Sequence, residues 1–188
     1  MKKKTILCML TAAMLAAVCA MSIGCGDKTA PSAASAGGDY AGEDGLIHVA
    51  AAAGSDESGN GTEESPYASI AYAVTKLEPG REVVIHDGTY DAFTLDAAMS
   101  GTAEAPVLIR AADGEAPVVK PSGDGDESIG IHLINIDHIT LDGLTVEGGT
   151  HGIYYESTRD QGETPLEDIT IKDCTVHGIR GTHGICAG

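Results

Sequence analysis

The sequence contains no tryptophan and a single phenylalanine, with six tyrosines completing its aromatic set. A core built on large aromatic rings is therefore excluded, while an apolar fraction of 43% still permits an aliphatic one. Positive charge is the next shortage. Eleven Lys and Arg stand against 28 Asp and Glu, a net charge of −17. Three of the lysines, Lys2, Lys3 and Lys4, sit at the extreme N-terminus, and without residues 1–24 the net charge falls to −20. Such a surface repels nucleic-acid backbones and anionic lipid headgroups, so nucleic acid is excluded as a partner. An anionic substrate is not excluded, because a divalent cation can bridge two sets of carboxylates. There is also no phosphate-binding loop, no paired Cys-x-x-Cys motif and no Ser-His-Asp arrangement.

Cysteine is sparse and unevenly placed. Cys8 and Cys19 lie in an uncharged, Ala-, Met- and Leu-rich stretch from Thr5 to Gly26 that follows the basic start, the layout of a secretory signal peptide. Cys25 follows Ser22-Ile23-Gly24, a small-residue setting like that of a bacterial lipoprotein processing site. Ser22 stands where an aliphatic residue is usual. The expectation is a signal peptide of lipoprotein type over 1–24, lipidation at Cys25, and a protein exported and membrane-anchored at the cell surface or in the periplasm. Ordinary cleaved secretion and an uncleaved apolar anchor are the alternatives. Residues 25–45, rich in Ala, Ser, Gly and Asp, read as a flexible tether. The folded body is expected over 46–188. It holds only Cys174 and Cys186, for which one disulfide is arithmetically available.

Glycine is plentiful, at 25 residues, and punctuates short β-branched runs. Leu46–Val49 reads as a first strand, and Ala53–Pro66 as a loop. Ile70, Ala73, Val74 and Leu77 fall at helical spacing, which predicts a short amphipathic helix stopped by Pro79-Gly80. Strands are expected at Glu82–His86, around Phe93–Leu95, at Pro106–Arg110 and at Val118-Val119. After Gly130 the chain repeats. Gly130-Ile131 returns as Gly152-Ile153 after 22 residues and as Gly184-Ile185 after another 32. His138-Ile-Thr-Leu-Asp-Gly-Leu-Thr-Val146 returns 30 residues on as Asp168-Ile-Thr-Ile-Lys-Asp-Cys-Thr-Val176.

A recurring short unit implies a stacked solenoid. Ile109, Ile131 and Ile153 are 22 residues apart, so a coil of roughly 22 residues is expected to place each isoleucine over the last. The longer step to Ile185 is assigned to a loop insertion, mostly the polar run Ser157 to Pro165, with two more residues between Val176 and Thr182. Ile139, Leu141, Leu144 and Val146 are expected to point inward, with Ile169, Ile171, Cys174 and Val176 as their counterparts. Cys174 thus replaces Leu144, which favours a buried apolar role over a disulfide. A sandwich of regular short strands is the competing architecture.

The order His48-Val-Ala, the Gly-rich loop before Ser65-Pro66-Tyr67, the helix, Pro79-Gly80, Val83-Val-Ile-His-Asp-Gly-Thr-Tyr90, Gly101 through Ala111 and Ile139-Thr-Leu-Asp-Gly-Leu-Thr-Val146 resembles the N-terminal part of pectate-lyase-like proteins. The resemblance is to exported bacterial polysaccharide lyases of that group and covers about residues 46–188. It implies an all-β fold, a right-handed parallel β-helix with its early helix capping the open end. It also implies action on an acidic polysaccharide by β-elimination, often with calcium and a Lys or Arg base. Many members of this fold are hydrolases or glycan binders, so a noncatalytic cell-surface glycan-binding or adhesin-like protein is the alternative.

No basic residue stands in a matching catalytic motif; Arg110, Lys120, Lys172 and Arg180 read as solvated charge. Asp124, Asp126 and Glu127 offer oxygen ligands for calcium in a Gly-rich loop without the 12-residue calcium-loop pattern, and Asp56, Asn60 and Glu63 offer no better set. Asp142 and Asp173 are the loosest of carboxylate pairs, because Asp142 aligns with Lys172. Thr150-His151-Gly152 and Thr182-His183-Gly184 are more specific. His151 and His183 are expected one rung apart at a turn, able to line a glycan groove or grip a metal, with no third ligand evident. At least one of Tyr154 and Tyr155 is expected to face out by alternation, and Tyr154 is the candidate to support a sugar ring; their counterparts are Cys186 and Ala187, so no aromatic ladder continues. The last coil opens at Gly184-Ile185, and the expectation is a fragment of a longer solenoid, inactive in itself, whose uncapped coil associates end to end.

Overall fold

The computed structural model describes residues 45–122, 128–158, 166–181 and 183–188. The chain divides into two units, residues 1–32 and 33–188, and all described residues belong to the second. The signal-peptide stretch, Cys25, the acidic trio Asp124, Asp126 and Glu127, Thr182 and most of the Ser157–Pro165 run lie outside the described residues. Among those described, no helix is long and apolar enough to cross a membrane.

The chain begins with β1 (Leu46–Val49), α1 (Ile70–Val74), β2 (Glu82–Ile85), β3 (Thr89–Tyr90) and β4 (Phe93–Asp96). A second turn of the solenoid brings β5 (Val107–Ala111), β6 (Val118–Val119) and β7 (Ile129–Ile134). A third brings β8 (Ile139–Asp142), β9 (Thr145–Glu147) and β10 (His151–Glu156). The last described turn is β11 (Ile169–Lys172), β12 (Thr175–His177) and β13 (His183–Ala187). From β2 onward, successive strands enter three different sheets in rotation: β1-β2-β5-β8-β11, β3-β6-β9-β12 and β4-β7-β10-β13. Every strand pairing in these sheets is parallel. Three parallel sheets visited in turn are the arrangement of a parallel β-helix, and they dispose of the sandwich, whose sheets are antiparallel.

The inward residues form columns, one rung above another. Val83, Ile109, Leu141 and Ile171 make one; Tyr90, Val119, Val146 and Val176 a second; Phe93, Ile131, Ile153 and Ile185 a third. Ile139, Leu141, Leu144 and Val146 are sealed from solvent, while Ile169, Ile171, Cys174 and Val176 are half-buried against them, in the 30-residue register of the repeat. Cys174 and Cys186 are free thiols, and burial raises the Cys174 thiol above its ordinary value. Both facts agree with the apolar role and leave no disulfide between them.

One expectation fails. Ile109 does not stack on Ile131. It belongs to β5, between Val83 and Leu141, and Phe93 occupies the place beneath Ile131. In that third column the steps are 38, 22 and 32 residues, so only one coil has the 22-residue length. Strand pairing fixes the rung, and loops of any length leave and rejoin it.

The helix is also shorter than its apolar spacing suggests. Ser69 caps it, its hydroxyl accepting from Tyr72 N at 3.1 Å. Beyond Val74 the amides of Thr75, Lys76 and Leu77 bond to carbonyls three residues back, which tightens the chain before Pro79. Ile70, Ala73 and Val74 are buried in the same core as Ile47 and Val49 of β1. Asp56 is not poised for a cation. Its carboxylate accepts from Ala68 N at 2.8 Å, Ser69 N at 3.0 Å and the Ser69 hydroxyl at 2.6 Å, closing the long loop onto the helix start.

Candidate functional site

Along a strand, side chains alternate between the core and the outside. In β7 and β10 this rule is broken once, at the Gly-Ile pair. Gly130 and Gly152 both direct the place of a side chain inward, against Val146 and Val176 respectively, and the following isoleucine points inward too. The residues on either side of the pair are thereby turned outward: Ile129 and His132 on β7, His151 and Tyr154 on β10. The Gly-Ile register therefore creates a paired outward display on each rung.

Parallel pairing aligns these displays. One outward column runs Ile129, His151, His183; the next runs Thr94, His132, Tyr154, Cys186; a third runs Asp96, Ile134, Glu156. His151 and His183 are stacked, with ring centroids 6.2 Å apart and planes 11° apart. Tyr154 lies between two imidazoles, 5.4 Å from His132 and 5.2 Å from His151. Ile129, His132, His151, Tyr154 and Glu156 line an open groove of about 530 Å³. His132 Nε2 is 2.9 Å from Glu156 Oε2, a contact that orients the imidazole.

The expected pairing of His151 with His183 one rung apart holds, although both open strands and do not sit in a turn. Tyr154 faces out into the groove, as alternation implies. The structure also supplies a third donor near the two histidines. Single ligand atoms of His151, His183 and Cys186 all lie within 4.8 Å of one another. Burial raises the Cys186 thiol above its ordinary value. His132 and Glu156 were not legible as site residues, yet the position after each Gly-Ile pair yields His132, Tyr154 and Cys186 in succession.

Three of the basic candidates, Arg110, Lys120 and Lys172, are engaged elsewhere. Arg110 meets Glu82 and Asp113, Lys120 Nζ lies 2.9 Å from Glu147, and Lys172 Nζ lies 2.8 Å from Asp142. The Asp142–Lys172 alignment is thus a ladder contact, and its hydrogen bond raises the Lys172 pKa. His86 bridges His48 at 3.0 Å and Glu115 at 3.1 Å on another part of the molecule, and contacts with Asp87 N and His86 hold the Glu115 carboxyl below its usual range.

No family model matches the chain. It is 31% identical over 140 residues to the uncharacterized protein YwoF of Bacillus subtilis (strain 168), covering 69% of this chain and 28% of YwoF. It is 28% identical over 137 residues to pectate lyase PEL9 of Emericella nidulans, covering 64% of this chain and 32% of PEL9. The chain therefore spans about a third of the length of these relatives. Among solved structures, the GH136 lacto-N-biosidase from Eubacterium ramulus aligns with a TM-score of 0.47 at 18% identity, over 69% of this chain and 33% of the enzyme.

Proposed function

We propose that this chain belongs to an exported carbohydrate-active protein whose groove over β7 and β10 binds an acidic polysaccharide and acts by β-elimination. The observation that carries the reading is the outward stack His132, Tyr154, His151 beside Glu156. His132 and Tyr154 stand on neighbouring rungs with ring centroids 5.4 Å apart, which suits a linear polymer lying across the sheet. Similarity to a protein named pectate lyase supports the substrate class. In the elimination, a base takes the proton α to the uronate carboxylate, the C4–C5 double bond forms, and the C4–O bond breaks with the electron pair leaving on the glycosidic oxygen. His132 is assigned as that base. With Nε2–H donating to Glu156, Nδ1 carries the lone pair that takes the proton, and Glu156 holds the ring in that tautomer.

Tyr154→Ala is expected to weaken retention of a polyuronate in affinity electrophoresis at least about tenfold, or roughly 1.4 kcal/mol. His132→Ala is expected to abolish the ultraviolet-absorbing unsaturated product even at polyuronate concentrations that saturate the groove. A folded chain that binds no acidic polysaccharide overturns the reading. Retention without product supports the rival, a noncatalytic glycan-binding surface protein. That rival is favoured by one observation: among the described residues no Lys or Arg lines the groove to neutralise a uronate carboxylate.

The remaining parts of the proposal concern architecture and placement. A right-handed winding is supported by the strong handedness of parallel crossovers, and an experimental structure tests it. A capping role for α1 is supported by its burial against the first rung. Lipidation at Cys25 predicts palmitate labelling that Cys25→Ser removes. Calcium at Asp124, Asp126 and Glu127 predicts ion-dependent protection of that loop from proteolysis. End-to-end association is a further proposal, tested by sedimentation velocity, which should show a concentration-dependent dimer.

A further inference from the structure

We propose that His151, His183 and Cys186 form a binding site for a borderline-soft d-block dication, Zn²⁺ in the first instance. Three observations converge. Parallel pairing places His151 opposite His183 and Tyr154 opposite Cys186, so two imidazoles and one thiol from adjacent strands share the outer face of one sheet. Their ligand atoms already fall within 4.8 Å of one another. A tetrahedral zinc with bonds near 2.1 Å to nitrogen and 2.3 Å to sulfur needs its ligands ~3.5 Å apart. Closing the difference of about 1 Å takes side-chain rotation and no movement of the ladder.

The third observation is His151 Nδ1, which is shut off from solvent with no hydrogen-bond partner among the described residues. A buried imidazole nitrogen without a partner costs free energy, and coordination is one way to remove that cost. The donor set decides the class of ion. Imidazole and thiolate nitrogen and sulfur suit zinc, whereas calcium and magnesium take oxygen. Three protein ligands leave a fourth position open, the pattern of zinc sites that bind an exogenous oxygen. His151 also lines the groove beside Tyr154 and Glu156. The site needs no glycan to form, so it stands independently of the polysaccharide reading.

The test is a titration of the purified, tag-free, reduced chain with Zn²⁺ against a chromophoric chelator. A parallel titration with Co²⁺ is read by its d–d bands and its thiolate-to-cobalt charge-transfer band. One ion per chain is expected, with the charge-transfer band lost in Cys186→Ser. His183→Gln and Cys186→Ser are each expected to lower Zn²⁺ affinity at least about 100-fold, more than loss of an outer hydrogen-bond partner usually costs. Both side chains project from the core, so circular dichroism and the melting curve of each variant should match the parent. Tyr154→Ala removes a groove ring and no donor, and should retain the ion. Absence of a one-to-one complex, an affinity changed less than tenfold in both donor variants, or equal competition by Ca²⁺ overturns the proposal. Failure of Tyr154→Ala to lose glycan bears on the groove alone.

Discussion

Gly152→Ala is expected to destabilise the protein by about 3 kcal/mol, the upper part of the range for forcing extra volume into a packed interior. A Cβ at this position falls against Val176 Cγ1 and lies 2.5 Å from the carbonyl oxygen of Gly184. One obstacle is a core methyl and the other is backbone held in a parallel ladder, so neither yields cheaply. The constraint is space and not conformational freedom, because Gly152 is not among the residues with positive φ. Gly130 is held in the same way, under Val146 and 2.8 Å from the Gly152 carbonyl oxygen. Gly184 provides the control. Its added Cβ meets Val176 Cγ1 at 3.5 Å, an ordinary contact, and Gly184→Ala should cost no more than about 0.5 kcal/mol. Urea unfolding with an unchanged slope measures all three variants. Adding Val176→Ala to Gly152→Ala should cost less than the two substitutions separately, because it clears one of the two obstacles. Equal costs at Gly152 and Gly184 would falsify this account of the register.

That account shows why the Gly-Ile repeat is so legible in the sequence. The glycine is required by the inward turn of its backbone under a valine, and the isoleucine by the core column. Both demands act together at Gly130-Ile131 and Gly152-Ile153, so identity recurs there, whereas the rung below has Ala92-Phe93 in that place. The 30-residue repeat of Ile139–Val146 in Ile169–Val176 is legible for the same reason, and its register is observed residue for residue. Ile109 was misplaced because a residue count between isoleucines carries no information about sheets. The 22 residues from Ile109 to Ile131 run from the first sheet into a different one. The 30-residue step from Leu141 to Ile171, extended backwards, falls on Ala111, two residues past Ile109, because the coil below is 32 residues long.

The groove was half legible. His151, His183 and Tyr154 stand beside the repeated glycines and were marked by them. His132 and Glu156 meet through alignment of β7 with β10, and Cys186 joins the histidines only when β13 is laid beside β10. Those contacts arise between strands, where spacing along the chain has no direct reading. Outward positions also face no common packing demand, so their residue types change from rung to rung: His132, Tyr154 and Cys186 share one column without resembling each other.

Leu141→Ala is expected to be costlier still, about 4 kcal/mol within the usual 2–5 kcal/mol for removing a buried leucine. Leu141 is sealed from solvent and lies between Ile109 below and Ile171 above. A cavity here closes poorly. The neighbouring side chains hang from backbones held rung to rung by parallel hydrogen bonds, and drawing them together would break those ladders. Ile171→Ala removes a similar volume one rung further on, where the side chain is only half-buried, and should cost less than half as much. In a solenoid each rung rests on its neighbours. Loss at Leu141 should therefore also speed amide hydrogen exchange in β5 and β11, whereas loss at Ile171 should leave β5 protected. Matching costs for the two variants, or exchange changes confined to β8, would mean that the first sheet does not carry the continuous column of core contacts derived from its register.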